Sequence, residues 1–139
     1  MNLVKKLLCS AVILPVVLLT ATAQLAVTVS PPKMVGQKAI VKLAMKNGLA
    51  QKIESARAVC FLLDDQGKMI GQSAKWVIGQ TKTGLASSAT NNFNFVITSS
   101  QPFTTTNLTA KVSFIRVVLD GGKQSDPRQA VIVSQANTP

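Results

Sequence analysis

Apolar and polar residues alternate in steps of two along most of this chain, while the 3.6-residue helical period is almost absent. Leu25, Val27 and Val29 open the pattern, and Pro31-Pro32 stops it because proline cannot donate to a sheet ladder. Ala39, Val41, Leu43 and Met45 then alternate with Lys38, Lys42 and Lys46. This predicts a strand with one buried and one wetted face, ended by the turn-forming pair Asn47-Gly48.

Further strands follow at short intervals. Ala56 to Leu63 is nearly all apolar, as suits a central strand buried on both faces or the middle of a sandwich. Asp64-Asp65-Gln66-Gly67-Lys68 forms a turn, with Gly67 as the left-handed residue. Met69 to Ile78 is extended, Phe93, Phe95 and Ile97 alternate with asparagines, and Thr109 to Leu119 is long and β-branched. Asp120-Gly121-Gly122-Lys123 closes a tight hairpin, and Ala130 to Val133 is a short last strand. The stretch from Gly79 to Asn91 is small, polar and least structured, a loop or short edge strand. About seven strands with turns at this spacing predict an immunoglobulin-like β-sandwich, with a small β-barrel as the alternative.

The N-terminus follows a different rule. Lys5 and Lys6 precede an apolar run from Leu7 to Leu19, and Ala21-Thr22-Ala23 ends it with small residues. That order predicts a secretory signal peptide over residues 1–23, cleaved between Ala23 and Gln24, and one domain over residues 24–139. The run is short of the about 20 apolar residues of a membrane span, and Pro15 interrupts it. A retained anchor is the alternative, and no membrane anchor is expected after cleavage. The destination is periplasmic or extracellular.

Cleavage changes the chemistry. Of 15 basic residues Lys5 and Lys6 leave, so 13 face five carboxylates and the formal charge becomes +8. Cys9 also leaves, making Cys60 the single thiol of the domain, unable to form an internal disulfide. Stability must then come from packing, and Cys60 reads as a small buried hydrophobe.

The block Ala58-Val59-Cys60-Phe61-Leu62-Leu63-Asp64-Asp65-Gln66-Gly67-Lys68-Met69-Ile70-Gly71 resembles the strand–turn–strand centre of FxLYD-type domains. With Asp64 at the motif's aspartate, Cys60 stands in place of its phenylalanine and Leu63 in place of its tyrosine. The strand from Val41 to Asn47 and the Phe93-Asn94-Phe95 segment fall in the family's order. The resemblance covers about half of residues 24–139. It implies a small extracytoplasmic β-sandwich module and carries over no catalytic residues.

Catalytic groups are scarce. The chain has no histidine, which excludes Ser-His-Asp and Cys-His nucleophile systems. Its carboxylates are Glu54, Asp64, Asp65, Asp120 and Asp126, and most sit at turns where aspartate caps its own backbone. Asp64-Asp65-Gln66-Gly67 lacks the spaced ligands of a calcium loop, and one thiol with scattered acids makes no zinc site. Ser73 and Lys75 lie in a predicted strand, not at a helix start, and no phosphate-cradling glycine loop precedes a helix. The expectation is a non-enzyme without cofactor or metal.

Charge then points to binding. Lys38, Lys42 and Lys46 share one side of a strand and are the candidate polyanion-binding residues; their plain reading is a solubilising face. The compartment and the absence of aromatics among the basic residues argue against nucleic acid. Tyrosine is absent, Phe61, Phe93, Phe95 and Phe114 read as core, and only Trp76 and Phe103 are candidates for an exposed ring. Asn107-Leu108-Thr109 is an N-glycosylation acceptor only in a eukaryotic secretory route. The function expected is an exported non-catalytic module that binds a protein or an anionic envelope component. The alternative is a structural accessory subunit of a surface or secretion assembly.

Overall fold

The computed structural model describes residues 23–79, 83–105 and 107–136. The leader expectation falls on residues 1–22, outside the described residues except for Ala23. Among the described residues, no helix is long and apolar enough to cross a membrane.

Among the described residues, nine strands form two sheets. In chain order they are β1 (Leu25–Val29), β2 (Lys33–Val35), β3 (Lys38–Asn47), β4 (Ile53–Leu63), β5 (Met69–Ile78), β6 (Thr90–Thr98), β7 (Thr109–Leu119), β8 (Lys123–Ser125) and β9 (Val131–Gln135). The first sheet centres on β3, with β6 antiparallel along one side and both β1 and β2 antiparallel along the other. Strand β9 adds parallel to the free side of β1. The second sheet runs β5-β4-β7-β8, all antiparallel. The sheets remain open, so the fold is a β-sandwich and the barrel alternative falls away.

The alternation of β3 works as its sequence predicts. Ala39, Val41, Leu43 and Met45 are buried, while Lys38, Lys42 and Lys46 are exposed. With Leu25, Val27 and Val29 from β1, Phe95 and Ile97 from β6, and Ala56, Ala58, Cys60 and Leu62 from β4, they form one core between the sheets. The small inward residues Ala56, Ala58 and Cys60 on β4 leave room in that core for the larger side chains.

Several expectations shift. Strand β2 does not emerge from the alternation because Pro31-Pro32 breaks the ladder and the pairing with β3 slips by one residue across them. That slip turns Lys33 and Val35, rather than Met34, to the outside. Strand β4 is central in its sheet but buried on one face only: Val59, Phe61 and Leu63 lie half-buried on the outer face. Phe61 is thus not a core residue, and Phe93 is half-buried, whereas Phe95 and Phe114 are buried. The last strand begins at Val131 because Asp126 caps a single helical turn, α1 (Pro127–Ala130), that takes Ala130 out of it.

Asn47-Gly48 also acts differently from the expected turn pair. Asn47 ends β3 as a fully buried polar residue. Its side-chain amide donates to the carbonyls of Gln51 and Leu85, each at 2.9 Å, and its oxygen accepts from Leu49 N–H at 2.9 Å. Its backbone receives Ser88 N–H and donates to Ala89 O. One side chain therefore ties the β3–β4 connection to the segment before β6, and Leu85 there bridges Ile53. Gly48 has no positive φ; it is needed because a Cβ would lie 2.7 Å from Gln24 O.

Candidate functional site

The outer face of the first sheet collects the predicted site residues. Lys38, Lys42 and Lys46 project from β3 beside Ile40 and Ala44, and the slip at the prolines adds Lys33 and Val35 from β2. Successive β3 lysines are four residues apart, so they stand at about 13 Å rather than the about 7 Å of alternate residues. Cross-strand register sets their neighbours. Lys38 lies between Val35 and Thr98, Ile40 between Lys33 and Val96, Lys42 opposite Asn94, and Lys46 between Ala26 and Thr90.

Among the described residues, no Asp or Glu side chain shares this face. All five acids of the chain belong to the second sheet or to connections: Glu54 on β4, Asp64 and Asp65 between β4 and β5, Asp120 after β7, and Asp126 before α1. Three of them are engaged in hydrogen bonds. The Asp64 carboxylate accepts from the backbone N–H groups of Gln66 and Lys68 at 2.9 and 2.8 Å, closing the turn in which Gly67 has φ +79°. Glu54 accepts from Gly122 N–H at 3.2 Å. Asp126 caps α1 and pairs with Arg128 at 3.3 Å, the single ion pair among the described residues. Hydrogen bonds from the Arg128 side chain and backbone hold the Asp126 carboxyl below its usual range.

The other candidate groups are dispersed. Cys60 is buried between the sheets, and desolvation raises its thiol to about 11, so it is a neutral packing group. Ser73 and Lys75 lie on extended β5. Among the described residues, no group of three or more His, Cys, Asp or Glu could hold a metal ion. Trp76 is half-buried, with the Arg57 guanidinium 5.6 Å from its ring centroid. It also borders an open cleft of about 660 Å³ between the starts of β6 and the end of β5, with Phe93, Asn91 and Thr83 among its walls. Phe103 packs half-buried against the core, and exposed Asn107 precedes β7.

Lys33, Val35, Ile40 and Val96 are the residues of the basic face that sequence reading misses. The period of two on β3 and β6 places Ile40 and Val96 on that face, whereas Lys33 and Val35 are signalled only by the proline doublet, through a break whose register consequence depends on the partner strand.

The fold and this face define a two-sheet β-sandwich protein with a charge-segregated surface. Its architecture is similar to two solved structures. One is a Bordetella pertussis protein assigned as ApaA, with TM-score 0.52, 14% identity, 75% of this chain covered and 88% of that one. The other is IrmA from Escherichia coli, with TM-score 0.51, 12% identity, 84% of this chain covered and 97% of that one. At such identities the likeness concerns the fold alone. No family model and no curated protein matches this chain in sequence.

Proposed function

We propose that this protein is an exported, non-catalytic β-sandwich module that binds an anionic envelope component through the outer face of its first sheet. The observation that carries the reading is charge segregation: Lys33, Lys38, Lys42 and Lys46 share a face from which all five Asp and Glu side chains are absent. Lysines kept only for solubility are commonly interspersed with acids, which shorten the reach of the field. A one-sign face instead raises the local concentration of polyanions and speeds their capture.

The export reading rests on the leader pattern at residues 1–23, and its test is the N-terminal residue of the protein recovered from the cell exterior or periplasm, expected to be Gln24. An immunoglobulin-like class is supported by the pairing pattern: β1, β3 and β6 occupy the positions of strands A, B and E, facing β4, β7 and β8 as C, F and G. The FxLYD-type affiliation belongs to the same proposal, because its motif block lies on the β4–β5 hairpin.

Binding to a soluble polyanion, poly(glycerol phosphate), measured at low and high salt tests the function. The expected result is capture that weakens steeply with salt and is lost in a Lys38→Gln/Lys42→Gln/Lys46→Gln variant. Capture that is indifferent to salt and to these substitutions would refute it.

One observation favours a protein partner as a second reading. The outer face of the second sheet carries Val59, Phe61 and Leu63 in a row on β4, with Ile115 and Met69 exposed on its neighbours. Such an apolar stripe suits a subunit contact. In-cell crosslinking from position 61 that captures no envelope protein would remove it.

A further inference from the structure

We infer that the occupant of the basic face is an anionic membrane surface, on which the sandwich lies flat through its first sheet. This rests on the reading that the face binds anions, and adds what kind of anion it meets.

The argument comes from what stands between the lysines. Val35 is 53% exposed and Val96 46% exposed, although both are aliphatic residues on the broad face of a sheet. Register places Val35 directly beside Lys38, and Ile40 directly between Lys33 and Val96. Opposed side chains are about 5 Å apart at Cβ, which pairs Ile40 with Val96, and Val35 stands diagonal to Ile40 at about 7–8 Å, so three aliphatic residues lie close together within the lysine field. Ile132 on β9 adds a further exposed aliphatic at the far edge, beside Ala26.

A soluble polyanion gains from the lysines and gains nothing from these side chains. A bilayer uses both, since lysine stems lie along apolar surface and lift their ammonium groups to the phosphates while short aliphatics enter the headgroup boundary. The rest of the face is compatible with that orientation. Thr90, Asn92, Asn94 and Thr98 on β6 and Thr28 on β1 are neutral, so no carboxylate is forced against a negative surface. The absence of tryptophan or tyrosine from the face makes the contact shallow and reversible, held mainly by charge.

The test uses the purified protein and sedimented vesicles of pure phosphatidylcholine or of equimolar phosphatidylglycerol and phosphatidylcholine. Binding is expected only to the anionic vesicles. Each exposed lysine near such a surface contributes about a fivefold factor, so a Lys33→Gln/Lys38→Gln/Lys42→Gln/Lys46→Gln variant should bind several hundredfold more weakly. A Val35→Ser/Val96→Ser variant should lose binding several-fold and keep its affinity for soluble poly(glycerol phosphate). Circular dichroism confirms that each variant is folded.

A control variant, Lys75→Gln/Lys111→Gln/Lys123→Gln, removes charge from the other sheet and should bind nearly as the parent does. Equal loss in the control variant would overturn the assignment, because net charge alone would then explain binding. Unchanged vesicle binding after Val35→Ser/Val96→Ser would overturn the apolar part, and the membrane proposal with it. Binding to poly(glycerol phosphate) without binding to anionic vesicles would overturn the membrane proposal and leave the anion-binding reading standing. Failure to bind either would overturn both.

Discussion

Asn47 offers the sharpest test of how this sandwich is held together. It is fully buried, and its side chain makes three hydrogen bonds, to Gln51 O, Leu85 O and Leu49 N–H. Asn47→Ala deletes all three. At about 1 kcal/mol net for each, with a small cavity added, the expected loss is about 2–4 kcal/mol. The cost does not rise further because Leu85 O still receives Ile53 N–H, and Gln51 lies near solvent. Urea unfolding followed by Trp76 fluorescence should show the midpoint falling by about 1–3 M at unchanged slope.

Asn47→Asp separates hydrogen bonding from shape. The aspartate retains the acceptor for Leu49 N–H but turns a carboxylate oxygen toward two carbonyls in a fully buried site. Burial and those carbonyls raise its folded pKa above the unfolded value of about 3.9. A raised folded pKa means that stability is present below the unfolded value and lost as pH rises toward the folded one. The aspartate variant should therefore approach the parent near pH 4 and fall progressively behind it toward pH 7. A loss under about 0.5 kcal/mol for the alanine variant, or a pH-independent difference for the aspartate variant, would refute the reasoning.

Four further outcomes follow from single residues. Cys60, buried and raised to about 11, should react with thiol reagents at pH 8 only as fast as the protein unfolds, and immediate labelling of the native state would contradict its position. Its raised thiol disfavours the native state as pH climbs from the ordinary value of 9.0 toward 11, so Cys60→Ala should lose less stability over that interval in alkaline unfolding curves. Arg128→Ala should move the Asp126 carboxyl part of the way back toward its ordinary range in a carbon-detected titration, because the backbone N–H of residue 128 still donates to it. The stability linked to that carboxyl is present above its unfolded pKa and fades as pH falls, and the loss should be small because both groups are exposed. Gly48→Ala places a Cβ 2.7 Å from Gln24 O, which should lower the thermal midpoint at about 4 °C per kcal/mol for a loss of about 1–3 kcal/mol.

Much of the first sheet is legible because strands with one wetted face write their own alternation. The lysines of β3 had to face outward once Ala39, Val41, Leu43 and Met45 faced the core, and both halves of that statement come from a period of two. Strand β4 reads less clearly. Val59, Phe61 and Leu63 are as apolar as their inward neighbours, so composition cannot say that one of its faces remains open. Strand β2 is hidden altogether, since three residues after two prolines carry no period of their own.

By itself, then, the sequence determined a β-rich domain with at least one half-wetted, lysine-lined strand, a glycine turn at Gly67, a chain without histidine, and a stock of basic residues far exceeding the acids. These are local properties, set by side-chain alternation and turn chemistry within a few residues. The tertiary structure decided that β2 continues β1 along the same side of β3 with a slipped register, that β9 runs parallel to β1, and that Asn47 is a buried fastening. It also decided that Val35, Ile40 and Val96 lie close together among the lysines while all five acids lie elsewhere. Those outcomes depend on which strands pair and in what register. Partners tens of residues apart impose that choice through backbone hydrogen bonds that carry no side-chain signature.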